Sequence, residues 1–183
     1  MLIKHSGQRV AVFLDVQNLY HSAKHLYDAR VDFDKVVKEA VSKRNLIRAL
    51  AYVIKTKTGE EKAFFEALTN IGIEIRVKEL QEFHGGLKKG DWDVGLAVDA
   101  IRISSGIDAV VLVTGDGDFI PLVEYLKNRG KRVEVVAFER SASSRLKEVA
   151  DEFINLENSK KKFLLTSSKQ KRSTGKKKRN DAQ

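Results

Sequence analysis

Apolar and polar positions along this chain fall into alternating blocks of two kinds. Arg9-Val-Ala-Val-Phe-Leu14 is an unbroken apolar run that stops at Asp15, the pattern of a strand covered on both faces. A helix is predicted over 17–29, and the spacing of Val36, Val37, Ala40 and Val41 predicts a second, shorter one within 31–41. Residues 44–54, rich in Leu, Ile, Ala and Val, form a second buried strand. Gly59 opens a helix through Phe64, Phe65 and Leu68 that closes near Gly72. Ile73, Ile75 and Val77 alternate with Glu74, Arg76 and Lys78, which predicts a third, half-exposed strand.

After a glycine-rich, basic loop over 84–90, the apolar residues Val94, Leu96, Ala97, Val98, Ala100, Ile101 and Ile103 predict a helix over 93–104. They leave it apolar nearly all round, with Asp91 as its N-cap. Residues 108–113 read as a fourth strand, 119–128 as a helix stopped by Gly130, and 131–138 as a fifth strand. A short helix over 143–151 and a strand at 153–156 end the pattern. Strands alternating with helices predict an α/β fold: three layers, α/β/α, around a mainly parallel sheet of five or six strands. Such sheets bind ligands beyond the carboxyl ends of their strands, where the strand order reverses.

That rule singles out carboxylates. Asp15 ends the first strand, and Val110-Val-Leu-Val-Thr-Gly-Asp-Gly-Asp-Phe119 runs the fourth into a glycine turn that displays Asp116 and Asp118. Crowded carboxylates repel and persist only with a cation, a cationic side chain or open water nearby. If the first and fourth strands are neighbours, all three meet. Asp93 opens its helix on the apolar, inward face beside Leu96, Ala97 and Ala100, where a carboxylate wants a partner. Asp15, Asp93, Asp116 and Asp118 together make a hard, oxygen-only donor set suited to Mg²⁺ or Mn²⁺. An ion so held neutralises a phosphodiester and activates water for in-line attack on phosphorus. Asn18 reads either as a helix cap or as an amide fixing substrate or metal-bound water. Asp99 projects toward Arg102, three residues on, as a surface pair. His21 and His25, at helical spacing, lack the third ligand and adjacent Glu of a zinc helix and read as a solvated face.

Composition narrows the field. The 183 residues suit one domain plus an extension, and the absence of cysteine excludes disulfides, thiolate zinc sites and a cysteine nucleophile. The start lacks a signal-peptide pattern and no run approaches the ~18 apolar residues of a membrane span, so a soluble, cytoplasmic protein away from membranes is expected. The net charge of +9 is uneven: ten of the 34 basic residues, but one of the 25 acidic ones, lie from Lys160 onward, leaving residues 1–159 neutral. Such a segment cannot bury enough apolar surface to order itself, so 158–183 is expected to be a disordered basic tail, with Phe163-Leu-Leu165 able to dock as a last helical turn. Its cations, Lys176, Lys177, Lys178 and Arg179 among them, suit an RNA backbone, as do Lys88 and Lys89 in the core loop. Phe83 and Trp92 flank that loop as candidates for a homodimer contact or for stacking on a base.

Three segments carry a family resemblance: Phe13-Leu-Asp15-Val-Gln-Asn18-Leu, Lys89-Gly-Asp-Trp-Asp93-Val-Gly-Leu-Ala-Val-Asp99 and Thr114-Gly-Asp116-Gly-Asp118-Phe. In that order they resemble the motifs of the NYN domain, in the LabA-like branch of the PIN-like nuclease superfamily, over about residues 8 to 156. The resemblance implies a sheet ordered 3, 2, 1, 4, 5 and a divalent-metal ribonuclease domain over 1–157. Asp15, Asn18, Asp93, Asp116 and Asp118 would take its catalytic positions. The four aspartates would hold Mg²⁺ or Mn²⁺, Asp99 would be a further Asp near the site, and Thr114 would position water or phosphate. Gln17 and Trp92 depart from the usual motif without removing a carboxylate.

Three other readings of these residues differ in what they require. A calcium loop starting at Asp116 needs a bidentate Glu at its twelfth position, where Lys127 stands. A haloacid-dehalogenase-type phosphatase needs an acid/base Asp two residues after its nucleophile, where Gln17 stands. A non-catalytic RNA-binding or regulatory module of the same fold stays open, because motif residues do not measure turnover.

Overall fold

The computed structural model describes residues 4–55, 61–79, 81–82, 88–89 and 91–165. Six strands form one sheet: β1 (Arg9–Asp15), β2 (Asn45–Lys55), β3 (Glu74–Glu79), β4 (Ala109–Val113), β5 (Arg132–Ala137) and β6 (Glu152–Asn155). Their order is β3-β2-β1-β4-β5-β6, and every neighbouring pair is parallel. The expected order 3, 2, 1, 4, 5 is therefore present, with β6 added beyond β5.

Period-two alternation divides the core between the two faces. Val10, Val12 and Leu14 of β1 face a layer made by α1 (Val16–Tyr27), α2 (Phe33–Val41) and α3 (Lys62–Asn70). Ala11 and Phe13 face the layer made by α4 (Asp93–Ser104), α5 (Ile120–Asn128) and α6 (Ser144–Val149). All five residues of β4 are buried, which explains its uninterrupted Ala-Val-Val-Leu-Val sequence. Fully burying one such side chain contributes ~1.5–3 kcal/mol, so the central strands dominate stability.

Two expectations about α4 are corrected. Its N-cap is Trp92, without a side-chain capping bond, and not Asp91. The helix buries Leu96, Ala100 and Ser104 and leaves Val94 75% exposed, so it is not covered all round. Among the described residues α5 packs beside it on its side of the sheet, and the sequence of α4 is more apolar than that neighbour needs.

One ion pair sits deep in the first layer. Glu134 of β5 is fully buried and takes two hydrogen bonds of 2.8 Å from the Arg44 guanidinium, itself buried. Arg44 also donates to the carbonyls of Ala40 and Val41, tying the end of α2 to the sheet. The described structure continues past the boundary expected at 157. Lys160–Phe163 makes a helical turn, α7, that buries Phe163 in the first layer, and Leu164–Leu165 pairs antiparallel with Arg30–Val31. Burial of Phe163, the backbone pairing of Leu164–Leu165 and the Lys162–Glu39 ion pair hold the extension against the domain. Among the described residues no helix is long and apolar enough to cross a membrane.

Candidate metal centre

The chain builds β1, β2 and β3 outward in one direction and then returns to lay β4 against the other side of β1. Strand order reverses between β1 and β4, and a crevice forms beyond their carboxyl ends. Leu14 lies opposite Val113, so Asp15 and Thr114 leave the sheet together.

A chain of hydrogen bonds then fixes the turn. Asp15 is the N-cap of α1: its Oδ1 accepts the Asn18 N–H at 3.1 Å and its Oδ2 accepts the Thr114 hydroxyl at 3.1 Å. Thr114 Oγ1 accepts the Asp116 N–H at 3.2 Å, and Asp116 Oδ1 accepts the Asp118 N–H at 2.9 Å. Asn18 Oδ1 accepts the Gly115 N–H at 2.9 Å. Gly115 is sterically required, because a Cβ there would stand 2.9 Å from Ala142 Cα and 3.0 Å from the Ser141 carbonyl oxygen. The connection after β5 closes over the turn at that point.

Asp93 reaches the turn from the first residue of α4. Asp93, Asp116 and Asp118 each offer a carboxylate oxygen within 4.8 Å of the others. Asp15 is not one of this trio; it lines the adjoining cleft of about 170 Å³ with Asn18, Tyr52, Asp93 and Asp116. The electrostatics follow from this crowding. Burial, then the charges of Asp116, Asp15, Asp91 and Asp118, push the Asp93 carboxyl up to about 6. The favourable N-terminus of α4 does not offset so many like charges. Burial also raises Asp15, opposed by its bonds from Asn18 and Thr114. The donor set is oxygen only and anionic, and it fits a hard divalent cation.

Several expected roles change. Thr114 is fully buried with its hydroxyl engaged on both sides, so it bridges Asp15 to Asp116 instead of touching water or phosphate. The cap of α1 is Asp15, and the Asn18 side chain ties α1 to the turn. Asp99 does not pair with Arg102. Its Oδ2 accepts the Tyr52 hydroxyl at 3.0 Å and an N–H from Arg76 Nε at 3.4 Å, and it is not a member of the trio. Trp92 is drawn into the fold: Nε1 donates to the Val53 carbonyl at 2.9 Å and the ring meets Tyr52 edge-on. The backbones of Lys88–Lys89 and Gln81–Glu82 pair as a small antiparallel ribbon. Phe83, Lys176, Lys177, Lys178 and Arg179 lie outside the described residues, as do the side chains of Lys88 and Lys89.

Tyr52 is the site residue that sequence reasoning missed. It reads as one more apolar strand position, yet parallel register sets it opposite Asp15, where it lines the cleft. Burial and Asp99 push its phenol upward, which keeps it a hydrogen-bond donor.

Comparison with known proteins agrees with this architecture. The NYN domain family matches residues 9–157. The chain is 24% identical over 159 residues to the low amplitude and bright protein LabA of Synechococcus elongatus, across 81% of this chain and 83% of that one. It is 31% identical over 183 residues to an uncharacterized protein of Methanocaldococcus jannaschii, across 92% of this chain and 69% of that one. A crystal structure of a Vibrio parahaemolyticus protein of unknown function matches with a TM-score of 0.79 at 33% identity, over 90% of this chain and 100% of that one. With three motifs in order, their carboxylates gathered at one sheet crevice, and the family matched over most of its length, the chain belongs to the NYN domain family, in the LabA-like branch of the PIN-like nuclease superfamily.

Proposed function

We propose that the protein is a ribonuclease that hydrolyses RNA phosphodiester bonds with Mg²⁺ or Mn²⁺. The observation that carries this reading is the convergence of Asp93, Asp116 and Asp118 within 4.8 Å beside Asp15. Asp93, Asp116 and Asp118 would hold the ion directly, with Asp15 completing the acidic wall. Bound there, the ion supplies charge neutralisation at the phosphate and an acidified water. The protein's own part is positional. Asp116 and Asp15 are held through Thr114, and the turn is held to α1 through Asn18, so little reorganisation remains when substrate arrives. Tyr52 and Trp92 wall the cleft.

The acidic cluster repels a polyanion, and the cations of residues 166–183, with Lys88 and Lys89, would supply the compensating attraction without reading bases. The test is incubation of structured and single-stranded RNA with Mn²⁺, comparing wild type with Asp15→Asn and Asp116→Asn. Cleavage by wild type alone is the expected result. Equal cleavage by all three would mean a contaminant, and tight RNA binding without cleavage would turn the reading toward a non-catalytic RNA-binding module.

A further inference from the structure

We infer that the groove between α4 and α5 is a subsite for one nucleobase, that of the nucleotide flanking the scissile phosphate. The inference rests on the ribonuclease reading. The groove holds about 370 Å³, has Asp93 and Asp118 among its lining, and runs between Val94 and Ile101 of α4 and Pro121 and Tyr125 of α5. Asp93 and Asp118 thus belong to two places at once, the carboxylate trio and the wall of the groove. A phosphate drawn to an ion at the trio brings its own nucleoside beside that groove.

The groove's chemistry suits a base and no other part of RNA. Val94 is 75%, Tyr125 43% and Ile101 38% exposed, although the core beneath is already filled by Leu96, Ala100, Leu122 and Leu126. Side chains of α4 at i and i+7 and of α5 at i and i+4 fall on facing ridges, which leaves an apolar slot between the helices. Phosphates and riboses gain nothing from such walls and are repelled or unpaired there, whereas a base presents two apolar faces. Apolar walls and an aromatic ring stack any base, so this subsite grips without selecting sequence. Its volume stands near the lower end of ligand sites, roughly 300–1,000 Å³, which suits one nucleoside. A second copy of the chain is the poorer occupant: a stable interface needs about 800 Å² from each partner, and one here would bury Asp93 and Asp118 under apolar side chains.

The experiment uses the full chain and a fluorescent single-stranded RNA, with dissociation constants from anisotropy in Ca²⁺ to slow hydrolysis and KM and kcat in Mn²⁺. Tyr125→Ala should weaken binding and raise KM by about 5- to 150-fold, the range expected for losing one stacked base. Tyr125→Phe should restore both, and the Mn²⁺-induced rise in melting temperature should be unchanged in either variant. RNA lacking the one base beside the cut should show the same loss on wild type and no further loss on Tyr125→Ala. Wild-type affinity and KM in both Tyr125→Ala and Val94→Ser would overturn the subsite and leave the ribonuclease reading intact. So would a wild-type dimer that these substitutions dissolve without changing KM. RNA binding that depends on Tyr125 without any cleavage would instead leave the subsite standing and remove the ribonuclease. Absence of RNA binding by wild type would remove both.

Discussion

Asn18 Oδ1 accepts the backbone N–H of Gly115 at 2.9 Å, joining the first turn of α1 to the turn that carries Asp116 across 97 residues of sequence. Gly115 is buried, so its N–H has no ready substitute partner. Asn18→Leu keeps the side chain's size and removes the acceptor. It should cost about 1–3 kcal/mol in urea unfolding, the usual penalty for a buried donor left unmade, and should weaken Mn²⁺ binding. Unchanged stability would show that the amide serves the solvent side only.

The Asp93 carboxyl stands at about 6 against an ordinary 3.8. The folded protein therefore holds this proton more tightly than the unfolded chain between those values. The contribution of Asp93 to stability falls as pH rises through about 4 to 6, and stays low above that. A divalent ion competes with the proton and prefers the charged form. The Mn²⁺-induced gain in melting temperature should be small near pH 5 and full by about pH 7.5, and Asp93→Asn should remove both the gain and its pH dependence. Thermal melts with and without Mn²⁺ across that range check the sign; a gain independent of pH would place the ion elsewhere.

Trp92 is the single tryptophan of the chain and directly precedes Asp93, so it reports on the centre. Its ring lies against Gly95, where a Cβ would stand 2.4 Å from Cε3. Gly95→Ala should expel the indole, break its bond to the Val53 carbonyl, and shift the first turn of α4. The expected outcome is red-shifted fluorescence, lower stability by about 1–3 kcal/mol and weaker Mn²⁺ binding. In the wild type, Mn²⁺ should quench this fluorescence.

Arg44 and Glu134 form a buried bidentate pair on the first-layer side of the sheet, away from the acidic crevice. Glu134 keeps Arg132 and Lys4 when Arg44 is removed, which softens the loss. Arg44→Met should still cost about 3 kcal/mol, at the low end for breaking a buried pair, while the Mn²⁺ response per folded molecule stays as in wild type. Denaturant titration with a parallel Mn²⁺ titration separates the two effects.

Residues 166–183 hold seven of the ten C-terminal cations, while Lys160, Lys161 and Lys162 belong to the described turn. Deleting 166–183 should weaken RNA binding and flatten its dependence on salt, leaving melting temperature and Mn²⁺ binding unchanged. Equal affinity at low salt with and without the segment would exclude the tail from binding.

Much of this was legible beforehand because it depends on local pattern. Continuous apolar runs at β1 and β4 and alternation at β3 specify buried and edge strands through side-chain period alone, and the three motifs place aspartates at strand and helix ends. That local chemistry also identified Asp15, Asp93, Asp116 and Asp118 as candidates for one site. What the tertiary structure decided is who faces whom. Parallel register puts Tyr52 beside Asp15, and the packing of α4 on the sheet puts the Asp99 carboxylate on Tyr52 and Arg76. Close packing turns Thr114 and Asn18 inward as bridges and leaves one apolar flank of α4 open beside α5. The physical reason is range: hydrophobic period and capping act within a few residues, whereas burial, like-charge crowding and hydrogen bonds across about a hundred residues exist only once β4 has returned to lie against β1.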